Sequence, residues 1–335
     1  MNLDNWSDIQ DRFSHNILLG NGASIAIDER LSYLSLYERV CENEGLNPEI
    51  TNMFDYFGTT NFEFVMRILL EANQVNEALN IADDKTREYY DEIREALIDT
   101  VRDIHPTYNT VEHLLLRRIA TFLKRFDTVL SLNYDLLVYW SMLAGNDILE
   151  HQRFKDCFVE GYFKKDFNWL RTPLRSGEHT TLVFYPHGSL FLATDIHGNE
   201  EKVSHSENEF LLETILTAWR EKEYYLPLFV SEGRSIDKFH AITSSNYLNT
   251  VYDSLLIGME GSLVIYGWSA SEQDEHILDA LDHQGITDIA VSVHTASPRC
   301  ESYCERIEEW RARTRNLRDV NLYFFDSQCE GCWIF

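Results

Sequence analysis

Positive charge is scarce in this sequence. Its 335 residues include 29 Lys and Arg against 55 Asp and Glu, which gives a formal net charge of −26. A domain that holds DNA or RNA by its own charge needs a basic surface. We therefore expect no direct nucleic-acid binding, although the acidic surface is compatible with a basic protein partner.

Cysteines and long apolar runs are also few. Six cysteines in a chain of this length do not make a disulfide scaffold. The opening residues, MNLDNWSDIQDRF, lack the apolar core and basic flank of a signal peptide. No stretch approaches the roughly 20 apolar residues that a membrane-spanning helix needs. These absences predict a cytoplasmic protein with no membrane attachment.

What the sequence does contain is a series of short apolar runs, each followed by turn residues and a helical pattern. Such runs indicate strands buried on both faces. Their alternation with helices predicts an α/β fold, a Rossmann-like and mostly parallel sheet flanked by helices. The predicted strands cover residues 16–19, 128–132, 182–185, 226–230, 263–266 and 286–293.

We expect one domain over residues 1–335 with a large helical insertion. Residues 31–125 carry helical patterns and are too long for a simple crossover between two strands, so they are predicted to pack beside the sheet. A second irregular segment, residues 150–178, holds aromatic and basic residues. It is predicted to form a second small insertion, either a hairpin or a small lobe.

The first predicted strand ends in LLGNGAS, a turn that is suited to a phosphate. Gly20 and Gly22 would let a ligand approach the backbone closely, and the helix that follows would offer free N–H groups. Ile25 stands where the last glycine of a complete G-x-G-x-x-G pattern would be. The same residues therefore also fit a tight turn that binds nothing.

Three later strands also end in polar residues. Asn133 and Asp135 follow the second (SLNYD), His187 the third (YPHG), and Gly267 and Ser269 the fifth (YGWS). Ligands of open α/β sheets bind outside the carboxyl ends of the strands. Each residue alone has a plainer explanation, because an Asn or Asp there can cap a helix and a lone His is more often structural.

Asp274 and His276 lie near the start of the next predicted helix, where an acidic residue also favours the helix dipole.

Together and in this order, GNGAS, SLNYD, YPHG and YGWS resemble the sirtuin-like family over most of the chain. In that family a glycine turn binds NAD, an Asn-x-Asp and a His-Gly motif surround the nicotinamide ribose, and a Gly-x-Ser turn contacts the dinucleotide. The zinc module of the deacetylases is missing, since its region holds only Cys157, and so is their Asp-Phe-Arg segment. With these departures, the chain resembles the bacterial sirtuin-like effectors of anti-phage defence.

In those effectors the site hydrolyses NAD+ to nicotinamide and ADP-ribose. The segments PLFVSEGRSIDKFHAITSSNYL and YGWSASEQDEHILDAL resemble the sirtuin-like subunit that works with a HerA-type ATPase. The resemblance implies NAD+ as substrate, no metal, and three catalytic residues, Asn133, His187 and Asp135. It also implies a set of residues that bind the dinucleotide: Gly20, Asn21, Gly22, Ala23, Ser24, Gly267 and Ser269.

Two alternatives remain at this level. The chain could be a scaffold or sensor subunit that binds NAD or ADP-ribose without cleaving it, or an ADP-ribosyl transferase. The presence of both Asn133 and His187 favours catalysis.

The C-terminal cysteines and an aromatic stretch leave two further questions. The four thiols of Cys300, Cys304, Cys329 and Cys332 are as many as a tetrahedral zinc site needs, but they also fit the description of ordinary buried thiols.

A stretch within the predicted insertion is unusually aromatic for a solvated segment, and it predicts a homo-oligomer larger than a dimer. Packing on the sheet is the alternative for its aromatic residues, which are Phe54, Tyr56, Phe57, Phe62 and Phe64.

Overall fold

A computed structural model describes residues 3–32, 36–43, 46–195, 197–221, 225–230, 233–283 and 285–335. Its strands are β1 Asn16–Leu19, β2 Thr128–Ser131, β3 Gln152–Lys155, β4 Phe158–Val159, β5 Tyr162–Phe163, β6 His179–Phe184, β7 Gly188–Thr194, β8 Glu200–Lys202, β9 Leu226–Phe229, β10 Gly261–Tyr266, β11 Ile286–Val293 and β12 Asn321–Asp326.

The α-helices are α1 Trp6–Ile9, α2 Asn21–Ile25, α3 Leu36–Asn43, α4 Pro48–Phe57, α5 Phe62–Leu79, α6 Lys85–Ile104, α7 His113–Leu123, α8 Leu137–Ile148, α9 Phe167–Arg171, α10 Leu211–Glu221, α11 Ser235–Ser244, α12 Asn246–Val251, α13 Glu275–Ala280 and α14 Cys300–Arg313. None of the helices in the described part of the chain has the length and apolar character needed to cross a membrane.

The main sheet is parallel, as the apolar runs predict. Among the described residues it has seven strands in the order β12-β11-β10-β1-β2-β6-β3, and every neighbouring pair runs in the same direction. All residues of β1 and β2 are buried, which fits a sheet with both faces covered. The Rossmann-like α/β fold class is thus confirmed.

The order of the strands creates a crevice beside β1. From β1 the chain builds β2, β3 and β6 on one side of the sheet, and it later returns to add β10, β11 and β12 on the other. The order therefore reverses between β1 and β10. In open parallel sheets the loops separate at such a point, and ligands bind in the gap outside the carboxyl ends of the strands.

One predicted strand belongs to a different sheet. The run 226–230 was expected among the parallel strands, but β9 pairs antiparallel with β7 in a second sheet of order β4-β5-β8-β7-β9. The prediction of its place was wrong because an uninterrupted apolar run does not reveal which partner it takes. Pro227 was the available signal, since proline lacks the N–H needed on both sides of a central strand and is confined to edges.

Helices fill most of the chain between β1 and β2. The segment 31–125 holds α3 to α7, and its residues 33–35 and 44–45 lie outside the described part. α5 contacts β9 and α6 contacts α10, so these helices lie against the antiparallel sheet and its neighbour. The segment 150–178 contributes β3 to the edge of the parallel sheet and the β4–β5 pair to the antiparallel one.

Candidate active site

A cavity of about 1060 Å³ opens over the carboxyl ends of the parallel strands. It gathers residues from the ends of β1, β2, β6, β10 and β11, as the strand order requires. Eight of the predicted site residues line it, namely Gly20, Asn21, Gly22, Asn133, Asp135, His187, Gly267 and Ser269. The other two, Ala23 and Ser24, are fully buried behind its wall.

The glycines of the first turn are needed for packing against the turn after β10. Gly22 N–H donates to Gly267 O at 2.6 Å. A Cβ at Gly20 would collide with the backbone of Trp268, and a Cβ at Gly22 would collide with Gly267 O. Gly267 itself has a φ of +66°, which side chains rarely adopt. Close contact between two turns therefore explains these glycines without a ligand.

This turn offers fewer backbone donors than its sequence predicts. The N–H groups of Gly20, Gly22 and Ala23 all donate to carbonyl oxygens of the protein. The N–H of Asn21 has no acceptor within the described residues. It is thus the backbone donor that the turn presents to a ligand.

Asn133 is held by both hydrogens of its side-chain amide. Its Nδ2 donates to Gly20 O at 3.0 Å and to Ser24 Oγ at 2.8 Å. The side chain is almost completely buried, so the amide has one orientation. This leaves Oδ1 as the amide atom with no partner in the described part of the chain, and Oδ1 can only accept a hydrogen bond.

Asp135 supports Asn133 from behind. Its Oδ2 accepts from Ser24 Oγ, and its Oδ1 accepts the N–H of Leu137, the first residue of α8, at 2.9 Å. Burial raises the pKa of Asp135, and the two hydrogen bonds oppose that rise. The N-cap of α8 is Leu136, so Asp135 is not its cap residue, although it accepts the first helical N–H. Through Ser24 the same side chain also fixes Asn133.

A buried histidine holds the loop that carries these residues. His105 Nδ1 lies 2.7 Å from Pro106 O, and its Nε2 lies 3.0 Å from the N–H of Leu136. The carbonyl needs a donor and the N–H needs an acceptor, so the ring is neutral with its hydrogen on Nδ1. Burial lowers the pKa of His105 to about 4, which keeps this state at neutral pH.

His187 is joined to a second histidine. Its Nε2 lies 2.9 Å from Nε2 of His276, and His276 Nδ1 lies 3.0 Å from Ser235 Oγ. Burial, aided by the charge of Lys238, lowers the pKa of His187 well below its ordinary value. Burial also lowers the pKa of His276 to about 4. Both rings are therefore neutral at pH 7.

A buried ion pair lies beside the two histidines. Lys238, 5% exposed, donates to Asp274 Oδ1 at 2.9 Å, and Trp268 Nε1 donates to Asp274 Oδ2 at 3.0 Å. Burial alone would raise the pKa of Asp274, but the charge of Lys238 and the hydrogen bonds from Lys238 and Trp268 bring it down to about 2. The carboxylate is thus charged and compensated by a specific ammonium, as a buried ion requires.

His187, Asp274 and His276 have the residue types and spacing of a metal site, with ligand atoms within 4.8 Å of one another. Their geometry fits hydrogen bonding better. The imidazole centroids lie 5.1 Å apart, a separation that two rings reach at this nitrogen distance only when the nitrogens point at each other. Two imidazoles that share a metal converge at an angle instead. Lys238 would also repel a dication.

The C-terminal thiols do not form a comparable group. Within the described residues, no cluster of potential metal ligands includes a cysteine. Cys304 and Cys332 are buried, and burial raises the pKa of Cys304 to about 11 and lifts that of Cys332 further. These two behave as ordinary buried thiols.

The sequence left several members of the site unrecognised. Lys238 and Ser235 lie on α11, which carries no strand-end motif, and His105 ends a helix far from it in sequence. Asp274 and His276 were noticed, but only the helix dipole was offered for the acid. Lys238 is buried although it belongs to a residue type that is almost always exposed. Because a single sequence does not report burial, this lysine could not be recognised as a member of the site.

Comparison with known proteins identifies the family but no activity. Residues 17–333 match the model of a family described as a domain of unknown function, DUF4917. No curated protein matches the sequence. A solved structure titled "Structural Basis for the Mechanism and Regulation of Sir2 Enzymes" is similar over 90% of this chain and 97% of its own, at 9% identity and a TM-score of 0.36. Similarity this low carries no argument about function.

The buried neutral His105 predicts a loss of stability in acid. Its pKa is about 4 in the folded chain and 6.5 as the ordinary value, so the unfolded chain takes up the proton first and stability falls as the pH drops from 6.5 towards 4. The free energy of unfolding, measured in urea, should fall between pH 7 and about pH 4.5 in the wild type. In His105→Gln this fall should be smaller by about 2 kcal/mol. The exposed His113→Gln is the control, and an equal pH dependence in all three proteins would contradict the assignment.

The pairing of Asp274 with Lys238 predicts that no metal is held here. We expect thermal unfolding of the purified chain to be unchanged by EDTA and by added Zn²⁺, because a ligand that binds the folded state would raise the melting temperature. The measurement is differential scanning fluorimetry on the wild type and His276→Gln. A zinc-dependent rise in the wild type that is lost in the variant would overturn the hydrogen-bonded description.

Proposed function

Because the chain belongs to the DUF4917 family, whose description assigns no reaction, we propose a function from the site itself. The proposal is an NAD+ glycohydrolase that cleaves NAD+ to nicotinamide and ADP-ribose. The observation that carries it is that Asn133 and His187 line the same cavity as the two glycine turns, at the reversal of the strand order. The resemblance of these four motifs to the sirtuin-like family supports the choice of NAD+.

The reaction asks little of the protein in bond-making chemistry. The nicotinamide of NAD+ is already cationic, so it leaves as a neutral molecule once the bond from C1′ of the ribose lengthens. Positive charge then develops on the ribose as an oxocarbenium-like ion. The protein must hold the ribose, limit the access of water, and place one water molecule at C1′.

Asn133 is suited to orient that water. Both hydrogens of its amide are fixed by the protein, and Oδ1 remains to accept a hydrogen from a ligand. A water that donates one hydrogen to this fixed oxygen keeps both lone pairs, and one of them can be directed at C1′. Asp135 and Ser24 act as positioning residues, because they hold the Asn133 amide rather than a ligand.

His187 is suited to accept a proton. A base must be unprotonated at the working pH, and burial gives His187 this state. Its Nε2 is bonded to His276, so Nδ1 is the nitrogen left for the cavity. The proton would come from the attacking water or from a ribose hydroxyl. The N–H of Asn21, together with Gly267 and Ser269, would contact the diphosphate and the adenosine half.

The two alternatives differ from this proposal in what they release. A sensor or scaffold would bind NAD+ or ADP-ribose and release no nicotinamide. An ADP-ribosyl transferase would release nicotinamide but attach ADP-ribose to an acceptor, so free ADP-ribose would fall short of nicotinamide. Quantifying both products in one reaction separates the three functions.

We further propose that the chain works as a homo-oligomer larger than a dimer with a HerA-type ATPase, and depletes NAD+ during anti-phage defence. The partner and the defence role rest on the sequence resemblance. The self-assembly has a second support in three exposed aromatic residues of α4 and α5: Tyr56, Phe57 and Phe64 are 85%, 38% and 45% exposed and touch edge to face. Phe54 and Phe62 of the same stretch pack in the core instead.

Asn133→Ala and His187→Ala should each reduce nicotinamide release by at least about 100-fold, because each removes a group that acts directly on the water or its proton. Chromatography of nicotinamide and ADP-ribose measures the loss, and thermal unfolding checks the fold. Asn109→Ala and His240→Ala, both at exposed positions, are the matched controls. Full turnover in both site variants would overturn the roles given to Asn133 and His187, whereas a wild type that binds NAD+ and releases no nicotinamide would replace the glycohydrolase with the sensor.

Substitution of the exposed aromatic residues by serine should disrupt the proposed homo-oligomer. Mass photometry at sub-micromolar concentration should show a species larger than a dimer for the wild type and smaller species for Tyr56→Ser with Phe64→Ser, since the apolar contact area is lost. Trp169→Ser, at a position 59% exposed on α9, is the control and should assemble normally. A stable wild-type monomer, both alone and with the ATPase, would rule out this assembly.

A further inference from the structure

His187, His276 and Ser235 form a continuous hydrogen-bonded chain that the proposed reaction does not yet use. His187 comes from the turn before β7, His276 from α13 and Ser235 from the start of α11. The two rings are each 4% exposed, whereas Ser235 is half-buried and its neighbour Arg234 is exposed. The chain therefore runs from the wall of the cavity towards the surface.

We propose that this chain is a proton relay, which carries the proton released by the hydrolysis of NAD+ out of the cavity. The proposal rests on the proposed glycohydrolase function and names the path that its product proton takes. Hydrolysis forms the bond from the water oxygen to C1′ and breaks the bond from C1′ to the nicotinamide nitrogen, which keeps the electron pair. One proton of the water is then left over.

The hydrogen bonds allow two arrangements of the protons. The backbone N–H of His276 donates to Ser235 Oγ at 2.8 Å, so this oxygen is an acceptor in either case. In the first arrangement His187 Nε2–H donates to His276 Nε2, and His276 Nδ1–H donates to Ser235 Oγ. His187 Nδ1 then presents a lone pair to the cavity. In the second arrangement every bond is reversed, and Nδ1 carries a hydrogen.

Passage from the first arrangement to the second moves one proton through the protein. His187 Nδ1 takes the proton of the water, Nε2–H passes to His276, and His276 Nδ1–H passes to Ser235, whose hydroxyl hydrogen goes to solvent. One proton enters and one leaves, so both rings end neutral. After the products leave, exchange with solvent through the open cavity restores the first arrangement.

The surroundings favour neutral rings at both ends of the transfer. Within the described part of the chain, the charged groups that face the rings are Lys238 of α11 and Asp274 of the turn before α13, and Asp135 lines the same cavity. Lys238 and Asp274 compensate each other at 2.9 Å, so the attraction of Asp274 for a protonated His187 is opposed by the repulsion of Lys238. The low pKa of both histidines is consistent with this.

The test uses the full chain with His276→Gln and Ser235→Ala. The glutamine amide can still hydrogen-bond to His187 but does not pass a proton. We expect kcat to fall about tenfold or more in His276→Gln with KM for NAD+ within about twofold, and imidazole to restore part of the rate. The kcat of Ser235→Ala should fall less than that of His276→Gln. The kcat of His240→Gln, at an exposed position of α11, should equal that of the wild type.

Two further readouts separate a relay from a merely structural role. In mixtures of H₂O and D₂O, a plot of the wild-type kcat against the fraction of deuterium should be curved, because several protons move together. The same plot for His276→Gln should be a straight line. Nitrogen-15 spectra of labelled histidines, recorded without NAD+, should show His187 and His276 neutral and hydrogen-bonded. The His187 signal should shift in His276→Gln but not in His240→Gln.

The possible failures are distinct. Unchanged kcat and an unchanged deuterium dependence in His276→Gln would overturn the relay and leave the glycohydrolase in place. A nitrogen-15 signal of His187 that is unchanged by His276→Gln would overturn the hydrogen-bonded chain, whatever the activity of the variant. A wild type that binds NAD+ but releases no nicotinamide would overturn the proposed function, and the relay with it.

Discussion

The hydroxyl of Ser24 is the contact on which the arrangement of the site depends. It accepts from Asn133 Nδ2 and donates to Asp135 Oδ2, and it lies on α2, directly after the glycine turn. One buried atom thereby joins the ends of β1 and β2. The third partner, β10, is added through the bond from Gly22 N–H to Gly267 O. The floor of the cavity is therefore a set of strand ends tied by short polar bonds, and it needs no ligand to form.

Much of this could be predicted from the sequence, because the pattern that specifies a parallel sheet is strong. Uninterrupted apolar runs mark strands covered on both faces, and the residues that end them must meet at one edge. That reasoning placed Asn133, His187 and Gly267 around one cavity. It failed for 226–230, since burial alone does not choose between two sheets, and it overlooked β7 and β12.

The roles within the site were harder to predict than its members. Ser24 was assigned to the diphosphate, yet its hydroxyl is used entirely inside the protein. The glycines were read as a phosphate cradle, yet the contact with the turn at Gly267 accounts for them. Side-chain partners depend on distances between segments that are far apart in the chain. Lys238 and Asp274, 36 positions apart, are paired only because α11 folds against the turn before α13.

The strong negative charge has a consequence for a site of this kind. NAD+ carries a positive charge on its nicotinamide that ADP-ribose has lost, so the product is the more negative of the two molecules. A chain with a net charge of −26 repels the product more than the substrate, over a range of about 8 Å in physiological salt. Within the cavity the ammonium of Lys238 is compensated by Asp274, but Arg299 and Arg306 also line the wall and bring positive charge to it. If the chain hydrolyses NAD+ as we propose, its net charge favours the escape of ADP-ribose once the product has passed the cavity mouth, and the charges that line the cavity decide how long it stays inside.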